Sequence, residues 1–371
     1  MSNRRFRAGI LGCGRIASGL DDPWFDKHVR DESWRARPCT HAGVYAAHPR
    51  IELAAGADDN EERLTAFSRL WGVGGVYRDY REMLRREELD IVSVTPACPL
   101  HAEMTIAAAE AGAKAILCEK PIACSLQEAD AMIRACDAHG TRLIVNHCMR
   151  LSPYLQVAKA TVAAGAIGEL KTIACYFDRW LLHMGSHLFD VMCLFAGEPK
   201  WVFGQIYGDD TVDADGSGYI QFGDGVVGLF DARSKIAPGF LELMGTRGLL
   251  LYCDDSDYTL EFWMPVKCAD PHTQLRNKQP QPFPLLPGEL QDAVPRQGRF
   301  VTRYAVDEVI ACIEQNRESI SSARDARWAL EIALAVYHSH RQGGKRVELP
   351  LADRSLWMPE SRPFPYPQER T

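Results

Sequence analysis

Between Phe6 and Val145 short apolar runs alternate with amphipathic stretches, the pattern of parallel strands buried on both faces and separated by helices. The runs Arg7–Leu11, Glu52–Ala57, Ile91–Thr95, Ala115–Leu117 and Arg142–Val145 predict strands; His101–Ala111 and Leu126–His139 predict helices between them. After Arg150 the texture changes. A helix is expected around Tyr154–Ala164, then strands at Lys171–Phe177, Trp201–Tyr207, Ser217–Phe222, Val226–Ser234 and Leu241–Gly245, punctuated by Gly-Asp and Thr-Arg-Gly turns. A Pro-rich, weakly patterned stretch covers Pro265–Pro295, a long amphipathic helix pair runs from Arg299 to His340, and the tail Arg362–Thr371 reads as extended. The fold class is α/β: a doubly wound parallel sheet over residues 1–148, followed by an α+β domain over 149–371.

The length, 371 residues, suits two cores rather than one. No apolar run approaches the roughly 18 residues that cross a bilayer, so no membrane partner is expected. The net charge of −7 is spread among interspersed acids with no basic stripe, which argues against nucleic acid. The 12 cysteines stand singly in apolar stretches and read as free thiols rather than disulfides or zinc ligands. Arg4 and Arg5 are adjacent, as in a twin-arginine export signal, but no apolar segment of the signal type follows them; a cytoplasmic protein is expected.

Gly12-Cys-Gly14-Arg15-Ile16-Ala17 follows the first strand and matches G-x-G-x-x-A. Gly12 permits the tight turn, Gly14 lets the backbone approach a pyrophosphate, and Ala17 allows close packing of a helix whose N-terminus faces the anion. Asp58 ends the second strand, where a carboxylate accepts from ribose hydroxyls and repels a 2′-phosphate, so NAD is expected rather than NADP. The acid stands about twice the usual ~20 residues beyond the glycines. An insertion at Gly19–Cys39, carrying Trp24, Phe25 and Trp34, accounts for the excess; it predicts a surface excursion, a lid or a subunit contact.

Ile116-Leu-Cys-Glu119-Lys120-Pro121, a strand followed by Glu-Lys-Pro, resembles the signature of the Gfo/Idh/MocA oxidoreductases. The likeness continues through Thr95-Pro96 with His101, Arg150-Leu-Ser-Pro153, Gly165-Ala-Ile-Gly-Glu169, Gly185-Ser-His187-Leu-Phe-Asp190, Gly245-Thr-Arg-Gly248 and Gly343-Gly-Lys-Arg-Val-Glu-Leu-Pro350. It implies a large, mostly antiparallel open sheet in the second domain that makes dimer or tetramer contacts. It also implies hydride transfer between a nicotinamide and a hydroxyl or carbonyl of a sugar, polyol or glycoside. Thr95, Pro96, His101, Glu119 and Lys120 then join Gly12, Gly14, Arg15, Ile16 and Asp58 as cofactor-binding residues. Lys120 also hydrogen-bonds the reacting oxygen, and His187 takes or returns its proton, a task suited to imidazole; the two are expected to meet at the carbinol.

The chain departs from the family pattern where an Asp usually precedes this histidine by four residues. His183 stands there, the preceding glycine-rich stretch is shortened to Asp178–Leu182, and His183 becomes a third catalytic candidate. His183 and His187 with Asp190 share one helical face, yet two imidazoles do not close a metal site, and no metal is expected. Two alternatives remain open: transient oxidation by bound NAD that cleaves a glycosidic bond, and a dinucleotide-binding sensor without catalysis.

Overall fold

The computed structural model describes residues 5–22, 37–234, 239–253, 259–265, 278–281 and 301–361. The chain divides into two compact units, with described residues up to Leu151 and 301–327 in the first, and residues from Ser152 together with 328–361 in the second. The first holds a parallel sheet of six strands: β1 (Phe6–Leu11), β2 (Ile51–Ala57), β3 (Gly75–Tyr77), β4 (Ile91–Val94), β5 (Ala115–Cys118) and β6 (Arg142–Val145). Their order, β3-β2-β1-β4-β5-β6, is doubly wound, so the strand C-termini on either side of β1 open a crevice. β4 and β5 are buried along their whole length, as strands with helices on both faces must be.

Val301–Gln315 also belongs to this unit. Ala305, Val306, Val309 and Ile310 lie in one apolar cluster with Ile10, Ile51, Leu117 and Ile144. The sequence division at 148/149 assigns this helix to the second domain; its buried stripe instead completes the first core.

The glycine turn does not lead into an uninterrupted helix. Gly14 carbonyl accepts from Ser18 N–H at 3.0 Å, a short helical segment closes at Gly19–Asp21, and helix α1 begins only at His41–Ala47. The ladder nevertheless continues across the break: His41 N–H donates to Ile16 carbonyl at 3.3 Å and Ala42 N–H to Ala17 carbonyl at 2.9 Å. The Asp21 carboxylate takes Thr40 N–H at 2.8 Å, and Thr40 Oγ1 takes Gly43 N–H at 3.0 Å, so the resumed helix is capped. The insertion thus leaves between two turns of one helix; residues 23–36 of it lie outside the described residues.

The second unit is built on a nine-stranded sheet: β7 (Leu170–Phe177), β8 (Pro199–Tyr207), β9 (Asp215–Phe222), β10 (Val227–Asp231), β11 (Gly239–Gly245), β12 (Leu249–Cys253), β13 (Thr259–Pro265), β14 (Lys278–Gln281) and β15 (Val347–Glu348). The order is β14-β13-β12-β11-β7-β10-β9-β8-β15, antiparallel except for the β7/β10 pair. Strands β12 to β15 carry weak alternation and are not evident in the sequence. One of them, Lys278–Gln281, falls in the Pro-rich stretch; the rest of that stretch after Pro265 and the tail 362–371 lie outside the described residues. Ile173, Cys175, Phe177, Val202, Ile206, Ile220, Phe222 and Phe230 point inward along alternating positions and are buried.

Candidate active site

Gly12 sits at φ +90°, and a Cβ there would meet Pro96 N at 2.7 Å, so only glycine makes this turn against β4's exit. Thr95 fastens the same turn: its hydroxyl lies 2.7 Å from Gly12 carbonyl and 3.0 Å from Leu11 carbonyl, and its N–H donates to Leu11 carbonyl at 2.9 Å. A Cβ on Gly14 would meet nothing within 4 Å. The protein itself does not require glycine at that position, whereas a pyrophosphate drawn close to the backbone does; the turn fits a dinucleotide. Arg15 and Ile16, next in the turn, are half-buried.

Asp58 is 8% exposed at the end of β2. Its Oδ2 accepts from Cys13 N–H at 2.8 Å and its Oδ1 from Asn60 N–H at 2.9 Å, with Arg63 Nη1 at 3.8 Å. The carboxylate thus joins the second strand to the glycine turn and retains lone pairs for ribose hydroxyls. His101, 1% exposed, lies between two carbonyls, with Nδ1 2.8 Å from Pro121 O and Nε2 3.2 Å from Pro96 O. It ties the loop after β4 to the loop after β5, and burial holds its pKa below the ordinary histidine value despite those carbonyls.

Lys120 is half-buried beside Glu119, and its N–H donates to Glu119 Oε2 at 3.3 Å. The other carboxylate oxygen receives Asn146 Nδ2 at 2.7 Å and lies 3.0 Å from His41 Nε2. His41 Nδ1 lies 2.9 Å from Ser93 Oγ, which is 2.7 Å from Tyr45 Oη. Burial alone would push the Glu119 carboxyl up; the His41 ring, the Asn146 amide and the Lys120 ammonium outweigh it and bring it down to about 2. His41, Ser93 and Asn146 are absent from the residues the sequence singles out. Thr40-His41 marks a helix start in the sequence, but its meeting with Glu119 across 78 positions is tertiary.

In the second unit the shortened stretch before His183 folds as a π-helical turn, Trp180–Met184, that runs into helix α2 (Gly185–Ala196). Arg179 and Trp180 adopt left-handed φ values of 64° and 66°, a conformation that costs a side-chain-bearing residue about 1–2 kcal/mol. The loop between β8 and β9, with the first residue of β9, offsets that cost by taking four consecutive N–H groups. Trp180 donates to Asp215 Oδ1 at 3.3 Å, Leu181 to Ala214 carbonyl at 3.0 Å, Leu182 to Asp213 Oδ1 at 2.9 Å and His183 to Asp213 Oδ2 at 2.9 Å. Asp213 is only 3% exposed. The His183 ring is half-buried, edge-on to Trp180 at 5.9 Å; His187 is buried one turn further on, and Asp190 is fully enclosed. Among the described residues no group of three His, Cys, Asp or Glu side chains is placed to hold a metal ion.

Residues 6–147 match the family model for the NAD-binding Rossmann domain of this oxidoreductase group, and 159–349 match its C-terminal alpha/beta domain. The chain belongs to the Gfo/Idh/MocA oxidoreductase family. Among curated relatives it is 27% identical to D-apiose dehydrogenase of Paraburkholderia graminis, covering 93% of this chain and 90% of that one. It is 25% identical to 1,5-anhydro-D-fructose reductase of Ensifer adhaerens, covering 79% and 90%. Among solved structures, levoglucosan dehydrogenase in complex with NADH and levoglucosan shares the fold with a TM-score of 0.74 at 21% identity, over 94% of this chain and all of that one.

Proposed function

We propose that the protein is an NAD-dependent dehydrogenase that moves a hydride between the nicotinamide and a CH–OH carbon of a sugar, polyol or glycoside. The observation that carries this reading is the paired character of the first unit's crevice. A glycine turn leaves room for a pyrophosphate at Gly14, and Glu-Lys-Pro follows the neighbouring strand end with its glutamate held as a buried anion beside Lys120. The kinship to D-apiose dehydrogenase over 93% of the chain supports the sugar class. In this reading NAD supplies the hydride acceptor. Gly12, Gly14, Arg15, Ile16, Thr95 and Pro96 bind its phosphates, Asp58 its adenosine ribose, and His101 keeps the two loops in register. Lys120 donates a hydrogen bond to the reacting oxygen, and His187, with His183 beside it in the chain, handles the proton. Asp58 favours NAD over NADP, and Asp58→Asn, which keeps an acceptor for Cys13 N–H, narrows that preference.

A second copy of this chain is the proposed occupant of the open sheet face. Trp201, Tyr219 and Phe203 form a stacked row there at 4.9 and 5.4 Å, and Phe203, Tyr176, Leu229 and Met244 are each 37–41% exposed. Ten cysteines among the described residues are outside any disulfide, including Cys98 and Cys124 with sulfurs 3.4 Å apart, which suits the reducing cytoplasm proposed for the protein. No helix among the described residues is long and apolar enough to cross a membrane.

The experiment is a panel of sugars, inositols and glycosides, including D-apiose and levoglucosan, followed at 340 nm with NAD and NADP separately. NADH accumulation with a sugar, faster with NAD than NADP, is the expected result. Glycoside cleavage without net NADH, or no turnover with any member, contradicts the reading.

A further inference from the structure

We propose that His41 and Glu119 form a positioning pair for the reaction, in which the His41 ring holds the Glu119 carboxylate as a fixed buried counter-charge that keeps Lys120 an ammonium. This rests on the reading of Lys120 as the group that meets the reacting oxygen. The geometry is specific. Glu119 Oε1 receives the Asn146 amide at 2.7 Å and faces His41 Nε2 at 3.0 Å, while Oε2 faces Lys120's own N–H at 3.3 Å. An ionised carboxylate only accepts, so Nε2 carries a proton, while Nδ1 lies 2.9 Å from the Ser93 hydroxyl, itself 2.7 Å from Tyr45 Oη. Every member of that chain has a partner, and His41, Tyr45 and Ser93 are fully enclosed. The carboxylate therefore cannot swing away to solvent.

The titratable groups facing Glu119 come from four elements. They are His41 on α1, Lys120 next in the chain, Cys118 on β5 and His101 on the helix His101–Glu110. Burial keeps His101 low, and burial pushes the Cys118 thiol up, so neither carries charge near neutrality. The ammonium of Lys120 lowers Glu119, and by the same interaction the anion favours the ammonium. A lysine that must offer a hydrogen bond to a developing alkoxide needs this, because a neutral amine beside an apolar strand end would not stabilise the charge. The sequence places the device in a telling position: the insertion leaves the helix after Ala17 and returns at Thr40, and the resumed ladder puts His41 back where the strand end of β5 is reached.

The test uses the full chain without added cofactor. Lys120 is labelled competitively with trace acetic anhydride across about pH 7–11 and read by peptide mass spectrometry. Glu119→Gln, nearly isosteric and neutral, is expected to move the labelling midpoint down by about one pH unit, so that Lys120 reacts roughly tenfold faster on the rising limb. An unchanged midpoint in a folded Glu119→Gln protein overturns the proposal. Turnover of whichever panel sugar is oxidised gives a second arm that does not need this variant. His41→Ala removes a donor from the carboxylate, lets it take up a proton within the working range and adds an acid limb to the pH profile. His41→Gln keeps an N–H donor and restores the wild-type profile. A His41→Ala profile identical to wild type also overturns the proposal. Full turnover by Lys120→Met would instead remove the role given to Lys120 and leave the labelling result standing, so the two failures are distinguishable.

Discussion

The two glycines of the dinucleotide turn serve it for different physical reasons, and substitution separates them. Gly12 combines φ +90° with backbone at 2.7 Å from a new Cβ, so Gly12→Ala strains the fold itself and should lower stability by about 2 kcal/mol or more. Gly14 faces open space, so Gly14→Ala should leave the melting temperature within a degree or two while weakening NAD binding about tenfold or more. Calorimetry of both variants, with and without NAD, checks the split. Glu119 makes a further prediction at this scale. Its carboxyl lies at about 2 in the folded protein against an ordinary 4.5, with burial opposing and His41, Asn146 and Lys120 producing the depression. A depressed acid contributes stability above its unfolded value, and that contribution disappears as pH falls through the folded one. Wild type should therefore lose on the order of 3 kcal/mol relative to Glu119→Gln between about pH 4.5 and 2. Denaturant melts at several pH values measure this; parallel curves for the two proteins would contradict it.

At the scale of elements, the sequence displays what is periodic or local and hides what is joined across distance. β1, β2, β4, β5 and β6 are short apolar runs with turns behind them and are legible as such. β3 is three residues, Gly75–Tyr77, too short for any period to show. The helical pattern that resumes at Thr40 is legible, but its joining to the glycine turn is not, because the Ile16–His41 and Ala17–Ala42 hydrogen bonds that make the two parts one bridge the insertion. The Glu119 network and the Asp213 clamp are hidden for the same reason: each is a carboxylate meeting donors from another element. The Glu-Lys-Pro and Gly-Ser-His segments make Lys120 and His187 candidates in the sequence, whereas nothing local singles out His41 or Asp213. The clamp yields a prediction of its own. Asp213→Ala leaves Leu182 and His183 N–H groups without acceptors in a turn whose entry residues already sit at left-handed φ. It should cost about 1–3 kcal/mol in stability, and Asp213→Asn, which keeps one acceptor, should recover part of it. Urea midpoints of the three proteins check this order.

Over the whole molecule, the first unit's core is completed by a helix that arrives more than 150 residues after β6, and the second unit exposes an aromatic row on one sheet face. If that face meets a second copy, Phe203→Asp together with Leu229→Asp should lower the mass in solution to that of the 41.4 kDa chain without unfolding it, as light scattering and circular dichroism would show. The central claim, that Lys120 and His187 serve a hydride transfer to or from a sugar, is tested most directly by stopped-flow absorbance at 340 nm in a single turnover. Wild type, Lys120→Ala and His187→Ala are each loaded with NAD and mixed with the sugar that the panel identifies. The account predicts that both variants bind NAD as wild type does and form NADH about 100-fold more slowly or worse. NADH formation at the wild-type rate in either variant, with NAD binding intact, would contradict it.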